Sequence, residues 1–118
     1  MFLNLAHTKL DVYRSTRRFV MDCYRLTADL PEEEKYNLSM QIRRAALSVH
    51  LNLAEGASRK SISERKRYFE ISRGSVVEVD AALDIADDLY SLNHELLITL
   101  EQSMKSTFRG LSGLIRTI

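Results

Sequence analysis

Between residues 59 and 73 this sequence concentrates cations as no other part of it does. Arg59, Lys60, Arg65, Lys66, Arg67 and Arg73 meet only Glu64 and Glu70 within that stretch. Clustered guanidinium and ammonium groups are the residue types that track phosphates, by charge and, for arginine, by a planar donor fork. Arg59, Lys60, Arg65, Lys66 and Arg67 are therefore the candidate nucleic-acid contacts. The plainer alternative is a solvated face whose charges pair with Glu55, Glu64 and Glu70. Positive charge at the start of a helix opposes its dipole, so local helix stability does not account for the run.

Other chemistry is harder to build. His7, His50 and His94 are isolated, with no His-x-x-x-His or Glu-x-x-His spacing, so a di-iron site of the ferritin type is not supported. His94-Glu95 opens like a zinc-protease motif but lacks its second histidine. Asp80, Asp84, Asp87 and Asp88 fall on one side of a helix, which makes either a cation cluster or a solvated face. Without a shaping loop the solvated face is favoured, and arginines of a neighbouring subunit such as Arg17, Arg18 or Arg25 are a third possibility. Cys23 sits in an apolar stripe and reads as a core residue. No nucleophile triad or phosphate loop is visible. No catalytic residue, metal or cofactor is expected.

The elements that must position these groups are helices. One proline and four glycines in 118 residues leave few turns for strands. A first helix is predicted from about Ala6 to Ala28, with one stripe of Leu10, Tyr13, Val20 and Tyr24 and another of Val12, Phe19, Cys23 and Leu26. Leu30-Pro31 breaks it. A second helix starts at Pro31, or restarts with Ser39 as cap, and runs to about Ala57. Apolar residues cover most of its circumference. Ser61 or Ser63 caps a third helix, and Ser61 with Glu64 has capping-box spacing. That helix runs to about Tyr90. Asn93 caps a fourth, striped by Leu97, Leu100, Met104, Phe108, Leu111 and Ile115. Short links make the default an antiparallel up-down-up-down four-helix bundle forming a single domain over 1–118. A hairpin about residue 60 then sets Ser48 near Ser72. It also sets Arg43 or Arg44 near Glu78 and Glu55 near Arg65 or Lys66, as structural ion pairs.

Charge is polarised along such a bundle. Residues 1–73 hold 14 Lys/Arg and nine Asp/Glu, whereas residues 74–118 hold three and seven. One end collects the basic run with Lys9, Arg14, Arg109 and Arg116. The other collects Glu32 to Glu34, Asp84, Asp87 and Asp88.

The run Gln41-Ile42-Arg43-Arg44-Ala45-Ala46-Leu47-Ser48, followed by Asn52-Leu53-Ala54-Glu55-Gly56 and Arg59, resembles the four helix bundle protein family, also called 23S rRNA intervening-sequence proteins. Phe69, Ser72, Gly74, Ser75 and Glu78 in the next helix fit the same pattern. So do Leu10-Asp11-Val12-Tyr13 and the Leu30-Pro31 corner with Glu33. The resemblance spans nearly the whole chain. It implies a four-helix bundle that assembles into pentameric rings. Some members are encoded within intervening sequences of bacterial 23S rRNA genes. It also implies kinship with the accessory protein of diversity-generating retroelements, a basic pentameric barrel that binds nucleic acid and a reverse transcriptase. This chain departs from that relative in being nearly neutral. The family carries no established catalytic residues.

The expectation is thus a non-enzymatic homo-oligomeric bundle, pentameric by resemblance, that binds RNA or DNA through its basic pole. The alternative is a protein-interaction adaptor or scaffold without nucleic acid, whose partner is a reverse transcriptase or another protein. A lone cysteine, no signal-peptide pattern and no apolar run of about 18 residues point to a cytoplasmic protein that does not enter a membrane.

Overall fold

The computed structural model describes residues 2–118. It contains four α-helices: α1 (Asp11–Thr27), α2 (Leu38–Ser58), α3 (Ile62–Tyr90) and α4 (His94–Thr117). Short 3-10 turns at Ala6–Lys9 and Glu32–Glu34 precede α1 and α2, and no strand occurs among the described residues. In the four-helix bundle α1 lies against α2 and α4, and α3 against the same two. No helix is long and apolar enough to cross a membrane.

Three of the helix boundaries follow from capping chemistry. Ser61 Oγ accepts the Glu64 N–H at 3.2 Å and starts α3. Ser91, left-handed at φ 52°, ends it, and Asn93 Oδ1 accepts the Leu96 N–H at 3.0 Å to start α4. The other two starts differ from the sequence expectation. Leu10 is extended (φ −83°, ψ 133°), so α1 begins at Asp11 rather than Ala6. Its side chain packs against the core from that extended position. Pro31 is likewise extended, and α2 begins only at Leu38. The cap comes from a residue four back, where Glu34 Oε1 accepts the Leu38 N–H at 3.4 Å. Ser39, the expected cap, is buried instead.

The core is contiguous. It takes Phe19, Cys23 and Leu26 from α1, Ile42, Ala46, Val49 and Leu53 from α2, Phe69, Val76 and Val79 from α3, and Leu100 and Leu111 from α4. Of the two apolar stripes of α1, the one with Phe19 and Cys23 faces inward, while Tyr24 is exposed. On α2, Leu51 is 59% exposed and Leu47 also meets solvent, so the circumference expected to be covered is open within one chain.

Small residues set the α2–α3 seam. Ser48 Oγ and Ser75 Oγ lie 2.9 Å apart, and Ser72 Oγ donates to the Val49 carbonyl at 2.6 Å. Ser48 was expected near Ser72, and Ser72 does reach the backbone of the adjoining Val49; the Ser48–Ser75 and Gly56–Phe69 contacts place facing residues a few positions beyond a hairpin count about residue 60. Nearer the link the helices meet at Gly56, where an added Cβ would lie 2.7 Å from Phe69 Cε1. The Phe69 ring occupies the space that any larger residue would fill. Elsewhere α1 meets α4 through the buried Asp22 carboxylate, which accepts the Ser103 hydroxyl at 2.7 Å. It meets α2 through Arg43 Nε, which donates to Thr27 Oγ1 at 2.8 Å. The end of α3 is tied to the Glu32–Glu34 turn by Tyr90 OH, which donates to the Glu34 carboxylate.

Candidate nucleic-acid interface

The end of α2, the start of α3 and the three-residue link between them carry the basic run. Its five members are not equivalent. Arg59 is half-buried and clamped: Nη2 lies 3.3 Å from Glu55 Oε2 and 3.2 Å from Tyr68 OH. Its guanidinium also sits over the Tyr68 ring, 5.0 Å from the centroid, and Arg67 approaches the same ring at 5.6 Å. Such cation–π contacts hold a guanidinium while leaving its donors free. Arg65 is half-buried, and its Nε is enclosed with no hydrogen-bond partner among the described residues. Lys60, Lys66 and Arg67 are exposed. Arg59 is thus held in place, Arg65 is partly enclosed, and three residues are open to solvent.

Tyr68 is the functional candidate that the sequence reading passed over. An aromatic residue directly after Arg65-Lys66-Arg67 is a visible signal, since basic patches with interleaved aromatics suit stacking as well as phosphate contact. Lys9 reaches the same end of the bundle, where the groove beside it also involves Gly113 and Thr117 at the end of α4.

The expected ion pairs are replaced by others. Among the described residues the salt bridges are Arg25–Asp22, Arg59–Glu55 and Lys105–Glu101. Glu55 pairs with Arg59 along its own helix rather than with Arg65 or Lys66. The shifted seam explains this: Gly56 lies level with Phe69, so Glu55 is about a turn away from those cations. Arg43 turns to α1, reaching Thr27 and the Tyr24 ring at 4.7 Å. Arg44 and Glu78 are exposed and make no salt bridge among the described residues.

Of the remaining candidates, two histidines come together and the others lie apart from them. His7 and His50, distant in sequence, both pack on Tyr13, with ring centroids 5.2 and 4.7 Å apart respectively. His50 Nδ1 is 2.8 Å from Thr16 Oγ1. Burial, with smaller contributions from His7 and Arg17, lowers its pKa below the usual 6.5. His94 is exposed at the start of α4. Asp80, Asp84, Asp87 and Asp88 are all exposed, and Asp87 is engaged locally by the Leu92 N–H at 2.9 Å. Burial, and then the Asp22 charge, push the Cys23 thiol up to about 12, which leaves it protonated and unreactive. No group of three or more His, Cys, Asp or Glu residues that could hold a metal ion occurs among the described residues.

Fold and site together define a class: a four-helix bundle with one cationic end. The sequence places it further. Residues 8–113 match the family described as 23S rRNA-intervening sequence protein, and the chain belongs to that family. It is also similar in structure to a protein of unknown function from the S23 ribosomal protein family of Bacteroides thetaiotaomicron VPI-5482. The TM-score is 0.79 at 18% identity, covering 88% of this chain and 97% of that one. At that identity the likeness is one of fold. No curated protein matches the sequence. The solved relative is described as being of unknown function, and the family description names no activity.

Proposed function

We propose that this protein is a non-enzymatic, self-associating bundle that binds RNA or DNA through its basic pole. The observation that carries the reading is the exposure of Lys60, Lys66 and Arg67 beside a Tyr68 ring already flanked by two guanidiniums. Arg59, clamped by Glu55 and Tyr68, and the half-buried Arg65 complete the contact set. The helices run up-down-up-down and antiparallel. Supporting this, Gly56 faces Phe69, and earlier along α2 Ser48 faces the later Ser75. Self-association into a ring, pentameric by family resemblance, is supported by large apolar side chains left open on one chain. Leu51 on α2 and Ile85 and Leu89 on α3 are more than half exposed, and Ile85 and Leu89, four residues apart, share one side of their helix. In a ring the poles add into one cationic rim, which offsets the near-neutral charge of the single chain.

Filter binding of structured RNA and single-stranded DNA at two salt concentrations tests the reading. Affinity should fall steeply with salt and be lost on charge reversal at Arg65, Lys66 and Arg67. Absence of binding at low salt, or indifference to salt and to charge reversal, refutes it.

A second reading is favoured by one feature. Between α3 and α4 lies a groove of about 590 Å³ floored by Val76, Val77, Met104 and Phe108, which suits a protein partner and an adaptor role. A pull-down that recovers one protein stoichiometrically after nuclease treatment would support that reading over the first.

A further inference from the structure

The flank between α1 and α4 carries a second set of cations. Arg14, Arg18 and Arg25 recur along α1 at intervals of four and seven, so they share one side of the helix. They line a groove of about 630 Å³ whose opposite wall is Thr99, Gln102, Ser103 and Ser106 of α4. That wall offers hydroxyls and an amide and holds no carboxylate.

The two acids of the groove differ in what they leave available. Asp22 has a side chain only 3% exposed, and its oxygens are occupied by Arg25 at 3.2 Å and the Ser103 hydroxyl at 2.7 Å. Its charge is neutralised within the fold. Asp11 lies at one end, in the first turn of α1. Arg14 and Arg18 are exposed and take part in no salt bridge among the described residues. A pair of free arginines facing hydroxyl donors is an arrangement for an anion with several oxygens.

We propose that the α1/α4 groove binds the phosphodiester backbone of single-stranded nucleic acid, with Arg14 and Arg18 on phosphate oxygens and Ser106 and Gln102 opposite. Between two packed helices the groove is a surface furrow, which a flexible single strand can follow along its length while a stiff duplex meets it only at points. From Arg14 to Arg25 it runs about 16 Å, enough for a few nucleotides. Its Arg14 end is the end of the bundle where Val12 packs on Gly110 and where Lys9 and Thr117 line one groove. A strand leaving the basic pole therefore finds the groove mouth at the same end. The proposal rests on the nucleic-acid reading of the pole and adds to it a distinct contact surface and a preference for single strands.

Fluorescence anisotropy with short labelled oligo(dT), oligo(rU) and a duplex of equal length, each titrated with the full chain across a salt series, tests it. Four proteins are compared: wild type, R14A/R18A, S106E and the pole variant R65E/K66E/R67E. The groove residues changed are exposed, and helical circular dichroism with a melt checks that each variant folds. R14A/R18A should make the slope of log K against log salt shallower by about 1.4, two lost contacts on a single strand. S106E, which adds negative charge from the opposite wall, should weaken both oligonucleotides alike, since phosphate contacts carry no base identity. If wild type binds and both groove variants keep its affinity and slope, the groove is refuted and the pole stands. Should the groove variants lose binding while the pole variant keeps it, the groove stands and the pole is refuted. Tighter binding of duplex than of single strands overturns the groove, and no binding by wild type at low salt overturns both.

Discussion

Gly56 and Gly74 sit on neighbouring helices and should respond oppositely to one added methyl. At Gly56 the new Cβ meets Phe69 at 2.7 Å and Tyr68 Cβ at 3.0 Å. Neither the ring nor the helix behind it can retreat freely, so Gly56→Ala should destabilise the fold by about 1–3 kcal/mol. At Gly74 nothing lies within 4 Å, and Gly74→Ala should stabilise by about 0.5–1 kcal/mol through helix propensity. Thermal melts of the two variants check both signs. His50 gives a pH signature. Its folded pKa is below 6.5, so the fold favours the neutral ring. The stabilisation is complete above pH 6.5 and is lost as pH falls from there through the folded value. The melting temperature of wild type should therefore drop between about pH 7 and pH 5, and H50Q should show a smaller drop. The sequence made part of this legible. Cys23 in an apolar stripe was readable as core from local spacing alone. The meeting of His7 and His50 on Tyr13 was not, because it requires the first 3-10 turn to fold back against α2, and no local pattern encodes that.

Between elements, the α2–α3 seam depends on buried serines. Ser72 is fully buried and donates to the Val49 carbonyl. That carbonyl also serves its own helix ladder, so Ser72→Ala should cost only about 1 kcal/mol. Ser72→Leu adds volume where two helices meet and should cost about 1–3 kcal/mol. Urea unfolding of both variants separates the hydrogen bond from the packing. Helix existence, and the caps at Ser61 and Asn93, were readable because capping is local in sequence. The start of α2 was not: its N–H is satisfied by Glu34 across a 3-10 turn. The hairpin count about residue 60 came within a residue of the Ser72–Val49 contact but was off by about a turn nearer the link, where Phe69 packs on Gly56. That shift then moved Glu55 out of reach of Arg65 and Lys66.

For the whole molecule, the bundle was legible in the scarcity of breakers and in helical periodicity. Which apolar surface stays open was not, since a second helix apolar on most of its circumference does not say which side a single chain buries. Light scattering of the purified protein should return a mass several times that of one chain, and Leu51→Lys with Leu89→Lys should lower it towards the monomer. A monomeric wild type would contradict the ring. The charge polarity belongs to this scale too, because it emerges only when both ends of every helix are brought together. Its most direct test is the salt dependence of binding to single-stranded RNA by wild type and by R65E/K66E/R67E. The account predicts measurable affinity at low salt for wild type, falling linearly on a log–log plot. Loss of three phosphate contacts should make the slope of any remaining binding shallower by about 2. Equal affinity and equal slope for the two proteins, or no binding by wild type, would contradict it.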